Sequence, residues 1–316
     1  MNKYFGIIRF SMPFCFKKEV LGKTFTTQIA GKEISLRFPL ISPNYDPDTS
    51  TPPNGDLYFP NLAFSAKINW GMVLEWPSGL FSIEHLFCTF SAKDNSEIEM
   101  IYTDFPRWKE RLLKLHLVST ANFISPEIKY APVNEENRCR CDDLTIYKIS
   151  NERTIHHINN SIPYFFDLHW VQEGETYSID KTKQLFADAG SLKEITLAYE
   201  LLITAYHAFE RYDFISAVIL GGSAVEQAIL KRTKQEYAIQ DNYKRAKKKH
   251  KMLTKRFNWL AELNVTIPIK NYKDTIIDIR NKATHEGIRP TRDDTKICLE
   301  NCKTIIEYLT PQILEP

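Results

Sequence analysis

The chain has 316 residues, 43% hydrophobic and 25% charged, which is the composition of a soluble globular protein long enough for two ordinary domains. Its first twenty residues, MNKYFGIIRFSMPFCFKKEV, hold no sustained apolar run, and no stretch is expected to approach the eighteen or so apolar residues of a membrane span. Six cysteines make no disulfide framework at this length, so a cytoplasmic protein without a membrane partner is expected.

Residues 1–165 read mainly as strands. TFTTQIAGKEISLRF (24–38) alternates about Ala30-Gly31, the pattern of a hairpin. The prolines, asparagines and aspartates of 42–56 exclude regular structure there. LAFSAKINWGMVLEW (62–76) and LFSIEHLFCTFSA (80–92) are further aromatic and β-branched runs. An amphipathic helix is expected over 104–118, with Pro106 in its first turn and Trp108, Leu112 and Leu115 on its apolar face. Trp70, Trp76, Trp108, Trp170 and the phenylalanines are expected to supply a core. Cys139 and Cys141 are spaced too closely for a zinc site on a turn and read as reduced structural thiols. His156, His157 and His169 lack convergent partners, so no metal and no cofactor is expected.

From about residue 190 the apolar period becomes helical. Leu192, Ile195, Tyr199, Leu202, Tyr206 and Phe209 form one stripe, with His207 on its flank. A second helix carries Phe214, Val218, Val225 and Ile229 on one face. Ala217, Gly221, Ala224 and Ala228 line another, where a neighbouring helix can approach closely. Further helices are expected at 246–263, 270–286 and 292–310, the last capped by Thr291 with Asp294 and apolar at Cys298, Cys302, Ile305 and Leu309. The fold class is therefore α+β: a β-rich N-terminal domain, 1–185, followed by an all-α helical bundle, 186–316, with the boundary inside 174–191.

Positive charge gathers in the bundle. Residues 191–316 hold 21 Lys and Arg against 16 Asp and Glu. Eight of these cations lie within KRAKKKHKMLTKR: Lys244, Arg245, Lys247, Lys248, Lys249, Lys251, Lys255 and Arg256. Such a run is commonly a solvated face. Met252, Leu253, Phe257 and Leu260 make its latter part amphipathic, which leaves an outer cationic face able to follow an RNA backbone.

The densest group of chemically useful residues is DIRNKATHEG (278–287). Tyr272, Ile276, Ile279 and Ala283 make the buried stripe of its helix, and Asn281 and His285, four apart, share another face. Arg280 lies about 140° around an ideal helix from His285, yet its long side chain can reach a shared ligand. Gly287 suits the left-handed residue that ends the helix, and Pro290 prevents its resumption. An imidazole can exchange a proton with a ribose 2′-hydroxyl or a leaving 5′-oxygen. A guanidinium can hold the phosphate between them. The bland alternative pairs Arg280 with Glu286 or Asp278 beside a capping histidine.

Arg280-Asn281-Lys282-Ala283-Thr284-His285 resembles the R-N-x-x-x-H form of the Arg-x4–6-His signature of HEPN domains, the higher eukaryote and prokaryote nucleotide-binding family. YDFISAVILGGSAVEQAIL (212–230) is similar to the preceding helix of that family, including the acidic Glu226. The likeness spans about 191–310 and none of the N-terminal half. It implies a homodimer with a composite cleft and metal-independent RNA cleavage by 2′-hydroxyl attack. Arg280 and His285 would be the catalytic pair, Asn281 would orient, and Glu226 would position Arg280. Family members regulated by an antitoxin through a tyrosine two residues after the histidine have no counterpart here, where that residue is Gly287. The family's occurrence among toxins and phage-defence (abortive-infection) proteins suggests that the N-terminal half senses a phage or host trigger. Two other readings stay open. One is a non-catalytic nucleotide-binding or dimerising module; the other is a DNA-directed factor that uses the basic face alone.

Overall fold

The alternation of TFTTQI and KEISLR produces the hairpin that the sequence announces. Ala30 (φ 52°) and Gly31 (φ 69°) both occupy the left-handed region, as a two-residue turn between twisted strands requires, and Thr24 to Ile29 pair with Arg37 to Lys32. A computed structural model of the chain describes residues 2–38, 73–75, 80–120, 144–149, 155–157, 177–237 and 240–315. The segment 42–56, most of the run 62–76, and Trp70, Trp76, Cys139, Cys141, His169 and Trp170 lie outside the described residues. The chain forms two units, Met1–Ser191 and Leu192–Pro316, in an α+β layout.

In the first unit an antiparallel sheet has the order β2-β3-β5-β1-β6-β7, with β4 paired to β5. Its strands are β1 Asn2–Lys17, β2 Thr24–Ile29, β3 Lys32–Arg37, β4 Val73–Glu75, β5 Leu80–Ala92, β6 Leu144–Ile149 and β7 Ile155–His157. β1 is the longest, and its register against β5 slips between Arg9 and Phe14, where Pro13 has no N–H to give to a ladder. Helix α1, Asn95–Thr120, begins well before residue 104, and Pro106 lies inside it rather than in its first turn. The true start is a reciprocal cap: Asp94 accepts from the Glu97 N–H (3.2 Å), and Glu97 reaches back to the Lys93 N–H (2.9 Å). Helix α2, Ile179–Ala189, starts at Ser178, whose hydroxyl accepts from the Lys181 N–H. α2 buries Leu185 and Phe186, and the first unit runs to Ser191, at the end of the segment 174–191. Trp108, Thr27 and Phe186 lock the two helices to the sheet: Trp108 Nε1 donates to Thr27 Oγ1 (2.9 Å), which donates to the Phe186 carbonyl (2.7 Å).

His116 of α1 is buried and shares a hydrogen bond with Tyr177 Oη at 2.8 Å. Burial pushes its pKa down from 6.5 to about 3. The unfolded chain takes up this proton as pH falls through 6.5, whereas the folded chain refuses it until about 3. Stability is therefore expected to fall on acidification below pH 6.5, by up to roughly 1.4 kcal/mol per pH unit. Melting curves between pH 7.5 and pH 5 measure this; His116→Gln should flatten the dependence, and an unchanged slope would refute the assignment.

The second unit is a helical bundle of α3 Leu197–Glu210, α4 Phe214–Lys234, α5 Gln240–Lys249, α6 Leu253–Glu262, α7 (273–286) and α8 Arg292–Leu309. α4 is its centre, since Ala217, Val218, Gly221, Ala224, Val225, Ala228 and Ile229 are all buried. A Cβ on Gly221 would come within 2.9 Å of Leu299, so the small-residue face is where α8 packs. Contrary to the sequence expectation, α4 is long and apolar enough to cross a membrane by length and composition; half of that window is buried in the bundle. Cys298, Cys302, Ile305 and Leu309 are buried along α8, and Thr291 caps its start by accepting from the Asp294 N–H (3.1 Å). Two further expectations fail. Leu192 precedes α3 and is 90% exposed, while the stripe from Ile195 to Phe209 is buried. The helix expected over 246–263 is two helices, broken at 250–252, because His250 turns inward and its ring stacks on Trp259 at 5.2 Å.

Candidate functional site

The local backbone of α7 departs from an ideal α-helix. Lys273–Asp278 and Lys282–Glu286 are π-helical, on either side of an α-helical turn at Ile279–Asn281. Closing on the fifth residue widens these turns, and such turns recur at functional sites. The widening shifts the apolar stripe: Ile276, Ile277 and Ala283 are buried, while Tyr272, stacked on Phe257 at 4.1 Å, and Ile279 are only half-buried. Gly287 (φ 67°) ends the helix in the left-handed conformation and donates its N–H to the Lys282 carbonyl.

Arg280 turns toward α4. Its stem lies against Gly222 so closely that a Cβ there would sit 2.5 Å from Arg280 Cδ and 2.9 Å from Nε. Its Nη1 is 3.5 Å from Glu226 Oε1, and its Nε is buried without a hydrogen-bond partner. The partners offered by the bland reading, Glu286 and Asp278, are not the ones it takes. Glu226 is shared. Its Oε2 lies 3.7 Å from Arg256 Nη1, which also donates to the Glu226 carbonyl (3.2 Å), while Arg256 Nε donates to the His250 carbonyl (3.3 Å). One carboxylate thus stands between two guanidiniums. The cluster keeps an excess positive charge in a setting where the side chains of Arg280, Glu226 and Arg256 are 23%, 17% and 11% exposed. An anion approaching Arg280 meets a cation whose side chain is already held in place.

Asn281 and His285 are exposed on the same short helix, and neither makes a side-chain hydrogen bond or ion pair among the described residues. Thr284 Oγ1 donates to the Arg280 carbonyl at 2.6 Å, which satisfies that carbonyl within the widened turn. Cys302 lies close by on α8. Its hydrogen bond with Cys298 and its burial hold the thiol well above its ordinary range, against the pull of the Arg280 charge, so it is no nucleophile.

The basic run divides by burial. Lys244, Arg245, Lys247, Lys248, Lys249, Lys251 and Lys255 are exposed, whereas Arg256 is enclosed in the Glu226 cluster. An aromatic group whose members are scattered along the sequence holds this segment down. Tyr243 stacks on Trp259 (5.9 Å) and donates to the Leu230 carbonyl (3.2 Å), while Trp259 Nε1 donates to Tyr237 Oη (2.9 Å). The surface pairs Lys244–Asp241 (3.4 Å) and Lys249–Glu262 (3.9 Å) are too exposed to neutralise the face. Among the described residues no three His, Cys, Asp or Glu side chains gather to hold a metal ion. The chain matches no protein-family model, no curated protein and no solved structure.

Proposed function

We propose that the second unit is an endoribonuclease of HEPN type that cleaves RNA by transesterification. The observation that carries this reading is the Arg280–Glu226 ion pair between α7 and α4, with His285 exposed one widened turn further along α7. The ribose 2′-oxygen attacks the adjacent phosphorus and the bond to O5′ breaks. The 2′-hydroxyl proton goes to a base, and O5′ receives one from an acid. His285 takes one of these two roles, and Arg280 stabilises the charge that grows on the non-bridging oxygens. Asn281 orients the phosphate or the imidazole. One imidazole cannot serve at both oxygens in a single step, so a second copy of the chain supplies the other His285, which makes the working unit a homodimer. Side chains meet every demand of this reaction, and it needs no metal or cofactor.

The exposed cations from Lys244 to Lys255 would hold the RNA backbone. In this reading the protein is a cytoplasmic toxin or phage-defence effector whose first unit binds a phage or host trigger. The test is incubation of a labelled RNA pool with the protein in EDTA, followed by analysis of the ends. The expected products carry 2′,3′-cyclic phosphate and 5′-hydroxyl termini. Products with 3′-hydroxyl ends, or activity abolished by EDTA, would contradict the mechanism.

The paired state of Arg280 also suits a module that binds a nucleotide phosphate without cutting. That reading predicts no cleavage, together with nucleotide binding that is lost in Arg280→Ala.

A further inference from the structure

Arg256 closes the basic run of the sequence, yet it does not share the situation of the other seven cations. Its side chain is 11% exposed, and its guanidinium is engaged at three points: the Glu226 carboxylate (3.7 Å), the Glu226 carbonyl (3.2 Å) and the His250 carbonyl (3.3 Å). The His250 carbonyl belongs to the break between α5 and α6, and the His250 ring is fixed by Trp259 and by the Lys255 carbonyl 3.0 Å from Nδ1. Arg256 is thus tied to a rigid corner on one side and to Glu226 on the other. Glu226 in turn meets Arg280, whose own Nε has no hydrogen bond to fix it. Without Arg256, Glu226 would lose the contacts that fix it to the α5–α6 corner, and the Arg280 guanidinium that leans on this carboxylate would lose its anchor.

We infer that Arg256 is a positioning residue: it holds Glu226 and shares its charge, and through Glu226 it fixes the Arg280 guanidinium, instead of contacting RNA as the lysines beside it would. This inference rests on the reading of Arg280 as the phosphate-binding arginine, and its test includes a measurement that does not depend on cleavage.

The experiment compares wild type with Arg256→Gln, Arg256→Lys, Glu226→Gln and the double variant Arg256→Gln/Glu226→Gln in the full chain. If Arg256 positions, Arg256→Gln lowers kcat by about ten- to a hundredfold and leaves KM and the salt dependence of RNA binding unchanged. Arg256→Lys, which keeps the charge, restores part of the loss, and Arg256→Gln has no further effect once Glu226 is Gln. A rise in KM with kcat unchanged, and a salt slope shallower by about one, would make Arg256 a phosphate contact and overturn the inference. The second readout is the 15N-edited signal of the Arg280 Nε–H, assigned by its loss in Arg280→Lys. It is expected to be sharp in wild type, where Nε is buried, and averaged in Arg256→Gln; an unchanged signal would also overturn the inference. Should Arg256→Gln fail to fold, Arg256→Lys carries both measurements, since it loses the bonds to the two carbonyls. If wild type cuts no RNA, the ribonuclease reading fails, while the Arg280 signal still decides what Arg256 does.

Discussion

Arg280→Ala is expected to lower the rate of RNA cleavage about a hundred- to a thousandfold, the usual consequence of removing one preorganised donor from a developing oxyanion. The substitution takes away the cation that faces α4 and leaves Glu226 paired with Arg256 alone. The fold should survive. Arg280 is partly exposed and Glu226 keeps a partner, so the stability cost is roughly 1 kcal/mol. Arg280→Lys should restore little of the activity, because a single ammonium lacks the planar fork that grips two phosphate oxygens. Single-turnover cleavage together with a melting curve separates the outcomes. Full activity in a folded Arg280→Ala protein would remove the arginine from the mechanism.

Gly222→Ala is expected to disable the site without replacing any polar side chain. The added methyl would lie 2.5 Å from Arg280 Cδ and 2.9 Å from Nε, so the arginine must move away from Glu226. In a helix interior Ala is favoured over Gly by about 1 kcal/mol, which offsets the local crowding once the arginine has shifted. The melting temperature should therefore be level with or above that of wild type. Activity should fall about a hundredfold, the scale set by an ångström of misplacement at a reacting centre. A fall in activity that tracked a fall in stability would instead make Gly222 a packing residue only.

How far the sequence foretold all this depends on how local each signal was. The Ala30-Gly31 hairpin, the Thr291 cap, the Gly287 terminus and the buried face of α8 were all legible, because each is written within a few consecutive residues. β1 carries no clear signal, since FGIIRF and FCF place apolar residues side by side and show no period of two. Pro106 points to a first turn near residue 104, whereas Asp94 and Glu97 form the cap of α1 upstream. His250 was hidden among lysines. Its inward turn depends on Trp259, nine residues later, and only the packed bundle shows that the two rings stack. The sequence places Arg280, Asn281 and His285 together on one helix, and the resemblance to the HEPN family is what points to Glu226 as an orienting partner. The sequence could not show that Arg256 would leave the cationic face to share that carboxylate, since a distance of 30 residues along the chain carries no such signal. Nor did it reveal the π-helical turns, which no spacing rule anticipates.

In the proposed reaction His285 transfers a proton at the phosphodiester, and the most direct test compares wild type and His285→Ala on one labelled RNA pool in EDTA. His285 is exposed and bonded to nothing among the described residues, so the variant should melt with wild type and bind RNA as tightly. Cleavage is expected to fall by about a hundred- to ten-thousandfold, the range for loss of a general acid or base. Equal cleavage by the two proteins would show that the active residues lie elsewhere.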